Sequence, residues 1–389
     1  MDRPADLRRN VKVFGATSFF NDTATEMAYW VLPAFLTSIG AGPAALGVIE
    51  GVAESVASAA KLWSGYLVDR TRHRKPLVVA GYTVANLVKP LLAIATAWWQ
   101  VLLVRFADRL SKGIRGAPRD VMLAESVEPT RVGAAFGLLQ AMDSAGAIAG
   151  PGLALLLISH VGIRGVFWFA AIPGLLAIVI VISFARETGT TITTHAETLP
   201  KAPLSRTFYY VIFALGLFSL GNSSDMFLVL RAQQIGIPPA HAPLLGLVFN
   251  ITYTAFSWPA GRLSDRVSKR GLVVGGFLIF AVVYLVFAAA PSRSAIWAAF
   301  AFYGFYYALT NPVLRAMVSQ AAPAQSRGRA FGVFYFVTSV AALLSSVATG
   351  ELWKHFGPAI PFYVSAGLAA LAAVLITISP RESTPPPRE

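Results

Sequence analysis

The sequence predicts an all-α membrane protein whose chain crosses the bilayer twelve times, in two pseudo-symmetric bundles of six helices. Three observations support this fold class: the composition, the spacing of the apolar runs, and a repeat between the two halves. Hydrophobic residues make up 56% of the 389 residues and charged residues only 13%, whereas a soluble domain carries about 25% charged residues. A water-soluble core of this size could not bury so much apolar surface, so the predicted solvent is hydrocarbon.

Apolar runs of about 20 residues, the length that a helix needs to cross a bilayer, recur along the chain. One long polar stretch separates the first six runs from the last six. The predicted organisation is therefore a bundle at 1–185, a cytoplasmic linker at 186–207, a bundle at 208–380 and a tail at 381–389. The predicted spans, numbered 1 to 12 in chain order, are 11–39, 44–64, 77–96, 98–115, 134–158, 166–185, 208–232, 243–261, 272–290, 295–315, 331–352 and 359–379.

The basic residues predict which ends of the spans face the cytoplasm. If the N-terminus lies inside, 24 of the 32 lysines and arginines fall in cytoplasmic segments or at helix edges, three in outer loops and five inside spans. Cytoplasmic loops carry the excess of lysine and arginine, so both termini are predicted to be cytoplasmic in a multi-pass inner-membrane protein. The net charge of +13 then needs no nucleic-acid partner.

The two halves repeat each other at two places. The segment GYLVDRTRHRK starts at Gly65 and GRLSDRVSKRG starts at Gly261, an offset of 196 residues. The segment RVGAAFG ends at Gly137 and RGRAFG ends at Gly332, an offset of 195 residues. Two parallel halves with a site between them near the midplane form a recurring plan of membrane transporters.

At these residues, and across essentially the whole chain, the sequence resembles the major facilitator superfamily. The superfamily loop between spans 2 and 3 reads G-x-x-x-D-R-x-G-R-R/K, and here Arg72 and His73 replace the second glycine and the basic residue after it. The resemblance implies a secondary transporter, not an enzyme, with a latch at the cytoplasmic mouth. The alternative is that these charges only fix orientation. The implied latch residues are Gly65, Asp69, Arg70, Arg74, Gly261, Asp265 and Arg266.

Span 5 resembles the antiporters of the superfamily, which carry G-x8-G-x3-G-P-x2-G-G. Ala154 and Leu155 replace the closing glycine pair. Close packing through small residues is the alternative interpretation. The resemblance favours the branch of drug and metabolite antiporters that exchange their solute for protons. The matching residues are Gly137, Gly146, Gly150 and Pro151.

The first six predicted spans carry many charged residues. Each ionised group at mid-bilayer costs roughly 2.5–3.5 kcal/mol, so these groups are expected to pair, to face water or to be protonated. Folding consecutive spans into hairpins predicts that Lys89 pairs with Glu50 or Glu54, and the resemblance, which places span 3 at the periphery, implies a structural role for Lys89. The arginines of span 4 are expected to pair with Asp143 or Asp108. The predicted proton-coupling or substrate-binding residues are Asp22, Glu26, Glu50, Glu54, Arg105, Asp108, Arg109, Asp143, Asn222 and Asp225.

Span 1 carries the strongest candidates for handling protons. Asp22 and Glu26 are four residues apart and share one helix face, and the resemblance places span 1 at the cavity with spans 4, 7 and 10. A carboxylate pair in a low dielectric is suited to carrying protons. The hypothesis is that a proton from outside neutralises Asp22 or Glu26 and releases a solute bound from inside. Structural ion pairing is the alternative.

In the second half, spans 8 and 10 are rich in aromatic and amide side chains. Aromatic rings offer stacking and cation–π surfaces to an amphipathic or cationic solute, although packing against the core or lipid is the alternative for each ring. The predicted cavity residues of this type, including two from span 1, are Tyr29, Trp30, Phe249, Asn250, Tyr253, Tyr303, Tyr306, Tyr307 and Asn311.

The leading functional prediction is proton-coupled export of a small amphipathic or cationic compound by alternating access. Proton-coupled import of a nutrient or organic anion, with Arg105 or Arg109 as an anion clamp, is the main alternative. A membrane-embedded enzyme and a non-transporting receptor are less favoured, because the sequence has no cysteine, no histidine cluster and no sensing domain. The predicted partners are a small molecule, protons and the lipid bilayer, for a monomer with no cofactor and no metal site.

Overall fold

The computed structural model describes residues 4–68, 73–128, 132–188, 203–289, 292–320 and 327–379. Within these ranges the regular structure is helical. The helices group into twelve spans in the predicted order and form two bundles, which confirms the predicted fold class.

The first six spans have the following bounds. Span 1 is Pro4–Tyr29 and Leu32–Ser38, span 2 is Pro43–Val68, span 3 is Lys75–Val88 with a 3-10 turn at Lys89–Ile94, and span 4 is Trp98–Glu125. Spans 5 and 6 together comprise the helices Val132–Phe169 and Ala171–Phe184. The boundary between these two spans lies inside Val132–Phe169, at Gly162, whose φ is +66°. Glycine adopts this left-handed conformation without a Cβ penalty, so the chain reverses there without the loop that the apolar runs suggested.

The second six spans begin after the polar stretch. Span 7 is Arg206–Gly221 and Met226–Gln234, span 8 is Ala242–Arg266 after a short 3-10 turn at Pro239–His241, span 9 is Lys269–Ala289, span 10 is Arg293–Gln320, span 11 is Arg327–Phe356 and span 12 is Ile360–Ile378. Span 7 was predicted as one continuous helix and is instead interrupted at 222–225. Polar side chains that bond locally compete with the helix, and this segment reads Asn-Ser-Ser-Asp.

Among the described residues, six helical stretches combine sufficient length and apolarity with at most two charged residues in an 18-residue window. They are Lys75–Ile94, Ala135–Phe184, Arg206–Gln234, Lys269–Ala289, Ala330–Phe356 and Ile360–Ile378. Spans 1, 2, 4, 8 and 10 fall outside this set, and spans 1, 2 and 4 carry most of the charged residues of the first half.

The ends of the spans define two faces of the molecule. We call the end formed by Val68, Lys75 and Glu125 the terminal face, because span 1 also starts there, and the opposite end the distal face. The bundles meet mainly through span 2 against span 11 and span 5 against span 8. Glycine permits the first contact, since a Cβ on Gly47 would lie 2.4 Å from the carbonyl oxygen of Ser346.

The two halves close on each other at the distal face. Trp30 of span 1 is 2% exposed, and its ring lies 6.0 Å from that of Phe249 in span 8 and 6.5 Å from that of Phe300 in span 10. The Trp30 ring covers the backbone of span 8 so closely that a Cβ on Gly246 would lie 2.2 Å from it. We call these four residues the distal seal.

Toward the terminal face, charged side chains between the halves are accessible to solvent. The side chain of Glu54 is 49% exposed, and Lys61 and Lys112 are also exposed. By contrast, Glu50, one helical turn closer to the distal face, is 1% exposed. The described conformation is therefore sealed at the distal face and accessible from the terminal face.

Candidate functional site

Glu26 connects a predicted proton-carrying position to the distal seal. The indole Nε1 of Trp30 donates a hydrogen bond of 2.7 Å to Glu26 Oε2. Trp30 follows directly after the helix Pro4–Tyr29 that carries Glu26, and the two residues are four apart in the sequence. Any change in the charge or occupancy of the Glu26 carboxylate thus acts on the ring that fills the interface between the halves.

Asp22 is the first member of a series of polar side chains that crosses the first half. Asn21 Nδ2 donates to Asp22 Oδ1 at 2.9 Å, and Asn86 Nδ2 of span 3 donates to Asn21 Oδ1 at 3.1 Å. Lys89 Nζ then donates to Asn86 Oδ1 at 2.9 Å and lies 3.6 Å from Asp108 Oδ1 of span 4. Spans 1, 3 and 4 are therefore joined through buried polar groups.

The series continues from span 4 into the second half. Arg105 Nη1 lies 4.0 Å from Asp108 Oδ2, and the same guanidinium donates to Glu50 Oε1 from Nη2 at 2.7 Å and from Nε at 3.0 Å. The second carboxylate oxygen of Glu50 accepts a hydrogen bond of 3.0 Å from Ser224 Oγ, in the interrupted segment of span 7. We call the whole series the polar chain; its members are Asp22, Asn21, Asn86, Lys89, Asp108, Arg105, Glu50 and Ser224.

Burial makes the polar chain energetically important. Glu50, Lys89, Arg105 and Asp108 are each at most 5% exposed. An isolated charge in such a place is strongly unfavourable, whereas a paired and hydrogen-bonded charge is tolerated. The alternation of acids, bases and amides along the chain meets this requirement.

One predicted pairing was wrong, and the other was confirmed through Asp108, which Arg105 approaches to 4.0 Å. Lys89 pairs with Asp108 and not with Glu50 or Glu54. Asp143 pairs with neither arginine of span 4 within 4.0 Å; its Oδ1 is buried without a hydrogen-bond partner among the described residues. Hairpin folding estimates depth along the membrane normal, but the rotation of each helix about its own axis decides which residues at one depth actually meet.

A second ion pair lies closer to the terminal face. Arg109 Nε lies 3.6 Å from Glu54 Oε1. Arg109 is 7% exposed, while Glu54 reaches the solvent-accessible space between the halves. Lys112, one turn further along span 4, is exposed to the same space. This region carries both signs of charge and is available to solutes or water.

The glycines of span 5 position the carboxylates of span 1. A Cβ on Gly146 would lie 3.1 Å from Asp22 Cβ, and a Cβ on Gly150 would lie 2.7 Å from Glu26 Cβ. Only glycine allows the two helices to approach so closely. Gly137 has no neighbour within 4 Å of such a Cβ, so two of the three glycines in the predicted motif form the contact, next to the buried Pro151.

Replacing Gly150 by alanine is expected to disturb the site without removing a polar group. The added methyl group would overlap span 1 at Glu26 and at the carbonyl oxygen of Thr23, and overpacking of this kind typically costs about 1–3 kcal/mol. Gly152→Ala is the matched control, because its Cβ would have no neighbour within 4 Å. Melting temperatures in detergent and initial transport rates should fall for Gly150→Ala only; equal behaviour of the two variants would contradict the role of the contact.

The interruption of span 7 brings polar groups of the second half to the interface. Asp225 Oδ1 accepts a 2.6 Å hydrogen bond from the hydroxyl of Tyr303 in span 10. Asn222 ends the first helical segment, and its Oδ1 is buried without a hydrogen-bond partner among the described residues. Interrupted helices are tolerated within membranes where the freed backbone groups line a cavity or are buried in protein.

The predicted aromatic residues form one cluster in the second half. The ring of Tyr303 lies 5.7 Å from Phe249, 5.6 Å from Tyr306 and 5.2 Å from Tyr307, and Tyr253 stacks 6.1 Å from Phe249. Such offset and edge-to-face contacts are favourable beyond area burial. The cluster therefore forms a packed aromatic wall within the second half.

Of two further candidates, Asn250 bridges the halves and Tyr29 makes a contact within the first half. Asn250 Nδ2 of span 8 donates a 2.9 Å hydrogen bond to the carbonyl oxygen of Ala147 in span 5. Tyr29 lies with its ring 5.5 Å from the Arg105 guanidinium, a separation at which a cation and an aromatic face attract each other.

The predicted latch is only partly visible. Asp69 and Arg70 lie outside the described residues, and only the backbone is described for Asp265, Arg266 and Asn311, as for Gly65 and Gly261 near the ends of spans 2 and 8. Arg74 is described, and its Nη1 pairs with Glu125 of span 4 in its own half. The backbone nitrogens of Arg74 and Lys75 donate to Glu187, which holds the start of the linker against this half.

Sequence reasoning missed two features of the site. Ser224 was not predicted, although Gly-Asn-Ser-Ser-Asp within an apolar run is a signal for an interrupted helix. Asn21 and Asn86 were also missed; amides inside predicted spans are a signal for buried hydrogen bonding between helices.

Comparison with known proteins agrees with this architecture. The Major Facilitator Superfamily profile matches residues 14–231 and 209–389. An uncharacterised MFS-type transporter of Methanocaldococcus jannaschii is 33% identical over 389 residues, covering 95% of both chains. The multi-drug resistance efflux pump PmrA of Streptococcus pneumoniae is 23% identical over 371 residues, covering 89% of this chain and 90% of that one. The crystal structure of a POT family transporter in complex with 5-aminolevulinic acid superimposes with a TM-score of 0.81 at 12% identity, covering 95% of this chain and 96% of that one.

Proposed function

The chain belongs to the major facilitator superfamily and is a membrane transporter rather than an enzyme, and from this premise we propose that it exports a small amphipathic or cationic compound in exchange for protons. The observation that carries the proposal is the double connection of span 1 to the interface between the halves. Asp22 is joined to Ser224 through the polar chain, and Glu26 is joined to the distal seal through Trp30.

This arrangement gives protonation a route to conformation. An ionised Glu26 accepts the Trp30 N–H and so favours the ring position that fills the seal. A protonated Glu26 is a weaker acceptor, because hydrogen bonds to ionised groups are roughly twice as strong as neutral ones. Protonation therefore weakens the closed arrangement of the distal face, and deprotonation strengthens it.

The direction of transport rests on three supports. The relative PmrA is named a multi-drug resistance efflux pump. The glycine motif of span 5, which resembles that of the antiporters, packs against span 1 at the Cβ atoms of Asp22 and Glu26. The excess of basic residues favours a cytoplasmic terminal face, in which case the described conformation receives its solute from the cytoplasm.

The proposed cycle starts in the described conformation. A solute enters from the terminal face while protons leave Asp22 or Glu26 toward the cytoplasm. Deprotonation strengthens the Glu26–Trp30 hydrogen bond and keeps the empty transporter closed at the distal face. The free energy of solute binding must therefore outweigh this bond for the loaded transporter to open its distal face and close its terminal face, where the predicted latch acts. A proton from outside then neutralises Asp22 or Glu26 and releases the solute. The protonated transporter, whose seal is weaker, exchanges between both conformations, and loss of its proton to the cytoplasm returns it to the sealed one.

The alternative of anion import is less well supported by the site. An anion clamp needs a free guanidinium, but Arg105 is already bonded to Glu50 and Arg109 is paired with Glu54. A clamp role would require one of these two ion pairs to break. Lys112, for which no ion pair is found among the described residues, is an exposed base of span 4 that an anion could reach.

Asp22→Asn and Glu26→Gln are expected to abolish the pH-gradient dependence of transport. In everted membrane vesicles with an acidic lumen, the parent protein should accumulate ethidium, an amphipathic cation, and lose this activity when the pH gradient is collapsed. The variants remove the carboxylates while keeping side chains of nearly the same shape. A gradient of one pH unit supplies about 1.36 kcal/mol to the exchange of one solute for one proton, which is a factor of about ten in accumulation. Net uptake should therefore fall at least about tenfold when the coupling is lost.

Glu351→Gln provides the control, because Glu351 is a carboxylate that pairs with His355 at the distal end of span 11, away from the site. It should transport like the parent. Undiminished, pH-gradient-dependent uptake in both span 1 variants would refute the coupling role, and proton-driven uptake of an organic anion into right-side-out vesicles would favour the import alternative.

A further inference from the structure

A cavity of about 130 Å3 lies in the second half, between spans 7, 10 and 11. Its wall is made by rings of Phe218, Tyr306, Tyr307 and Phe334 together with short polar side chains. An apolar cavity of about 150 Å3 is enough to hold one benzene ring. The space therefore suits one ring or the head of a larger amphipathic molecule.

The serine and threonine hydroxyl groups that line this cavity offer it acceptors. Ser219 Oγ donates to the carbonyl oxygen of Leu215 at 2.8 Å, and Thr310 Oγ1 donates to that of Tyr306 at 2.9 Å. Thr338 Oγ1 donates to the carbonyl oxygen of Phe334 at 2.8 Å. Each hydroxyl has one hydrogen and two lone pairs. Because these three side chains donate that hydrogen to a carbonyl oxygen of their own helix, they can only accept hydrogen bonds from a bound molecule.

Asn222 adds an acceptor that has nothing to accept. Its side chain lines the cavity, and its Oδ1 is buried without a hydrogen-bond partner among the described residues. A buried carbonyl oxygen left unpaired is unfavourable. A donor brought in by a bound molecule would satisfy it.

The electrostatics of the cavity exclude an anion and favour a cation. None of the described residues that line the cavity is a lysine or an arginine, and the nearest acid in the sequence, Asp225, is held by Tyr303 three residues beyond Asn222. Four aromatic rings line the cavity, and the face of an aromatic ring attracts a positive group through its quadrupole. The acceptors add directionality, which a quaternary ammonium group without N–H cannot use.

We propose that this cavity binds the primary or secondary ammonium end of the exported solute, with an N–H directed at Asn222 Oδ1 and the aromatic rings around the charged group. The proposal rests on the proposed function, because it assigns the solute of that same transporter. It separates the two tasks of the molecule: span 1 and the polar chain handle the proton, and the cavity of the second half recognises the amine.

The test compares three probes of similar size: phenethylamine, its N,N,N-trimethyl derivative and phenylpropionate. Titration calorimetry on the purified protein in detergent should give phenethylamine at least about tenfold tighter binding than the trimethyl compound, the ratio expected of one hydrogen bond from a charged donor. Phenylpropionate should bind more weakly than either cation.

Asn222→Leu should remove the tenfold preference by weakening phenethylamine alone, and its unchanged affinity for the trimethyl compound would demonstrate that the variant is folded. Thr252→Val is the control, since the Thr252 hydroxyl donates within span 8 and does not line the cavity; it should keep the preference. An Asn222→Leu protein that still prefers phenethylamine tenfold, or a parent that prefers phenylpropionate, overturns the proposal.

Transport distinguishes this failure from failure of the proposed function. Proton-driven export of phenethylamine that is indifferent to Asn222→Leu would overturn the cavity assignment and leave the function standing. Selective binding of phenethylamine without any proton-coupled export would leave the cavity standing and overturn the function.

Discussion

Replacing Arg105 by leucine should destabilise the protein by about 3–5 kcal/mol, the effect of removing one partner of a buried ion pair. Glu50 is 1% exposed and receives two hydrogen bonds from this guanidinium. Without them the carboxylate keeps only the bond from Ser224. The melting temperature of the purified protein in detergent should fall markedly, and transport should be lost.

The matched control removes both charges. In Arg105→Leu combined with Glu50→Leu, no uncompensated carboxylate remains at this position, and such replacements of buried ion pairs by apolar residues are often neutral or stabilising. The double variant should therefore melt near the parent while remaining inactive, because the polar chain no longer reaches span 7. A double variant as unstable as the single one would contradict the ion-pair explanation, and an active double variant would contradict the role of the polar chain in coupling.

The prediction about Arg105 depends on its contact with Glu50, and the sequence predicted the common depth of these two residues but not the contact itself. Counting residues from the loops placed Lys89 level with Arg105 and with Glu50, and all three belong to the polar chain. Depth follows from the 1.5 Å rise per residue, but the azimuth of each helix depends on packing against several neighbours at once. The sequence could therefore predict which charges share a layer of the membrane, and not which of them touch.

The glycine contact between spans 5 and 1 could be predicted from the sequence, whereas the amide hydrogen bond between spans 3 and 1 could not. Gly146 and Gly150 were predicted from a family motif, and a close helix contact is what glycine spacing physically allows. The link from Asn86 to Asn21 joins spans 3 and 1 through single side-chain rotamers. Nothing in the local sequence of either span specifies this pairing, whereas the interruption of span 7 was foreshadowed by the clustering of Asn222 with serines in an apolar run.

Gly246→Ala should open the distal face. Its Cβ would lie 2.2 Å from the Trp30 ring, and that ring cannot retreat, because it is 2% exposed and bounded by Phe249 and Phe300. Overpacking of about 1–3 kcal/mol that acts only in the sealed conformation shifts the balance toward the opposite conformation by about 5- to 150-fold.

The chain offers a clean way to measure this shift, since it has no cysteine. Thr37→Cys in span 1 and Ser294→Cys in span 10 would place two spin labels on exposed distal positions of opposite halves. Pulsed electron–electron double resonance should give a longer distance between the labels in Gly246→Ala than in the parent. Gly367→Ala, whose Cβ would have no neighbour within 4 Å, should leave the distance distribution unchanged, and an unchanged distribution in Gly246→Ala would refute the seal.

A compensating variant separates the volume of Trp30 from its hydrogen bond. Adding Trp30→Leu to Gly246→Ala restores the space that the new methyl group takes, so the distal labels should return toward the parent distance. The leucine cannot donate to Glu26, so the recovered closure should no longer respond to protonation, and the label distance should become independent of pH. A double variant whose distal face still opens on acidification would place the proton response elsewhere, with Asp22 and the polar chain as the remaining route to span 7.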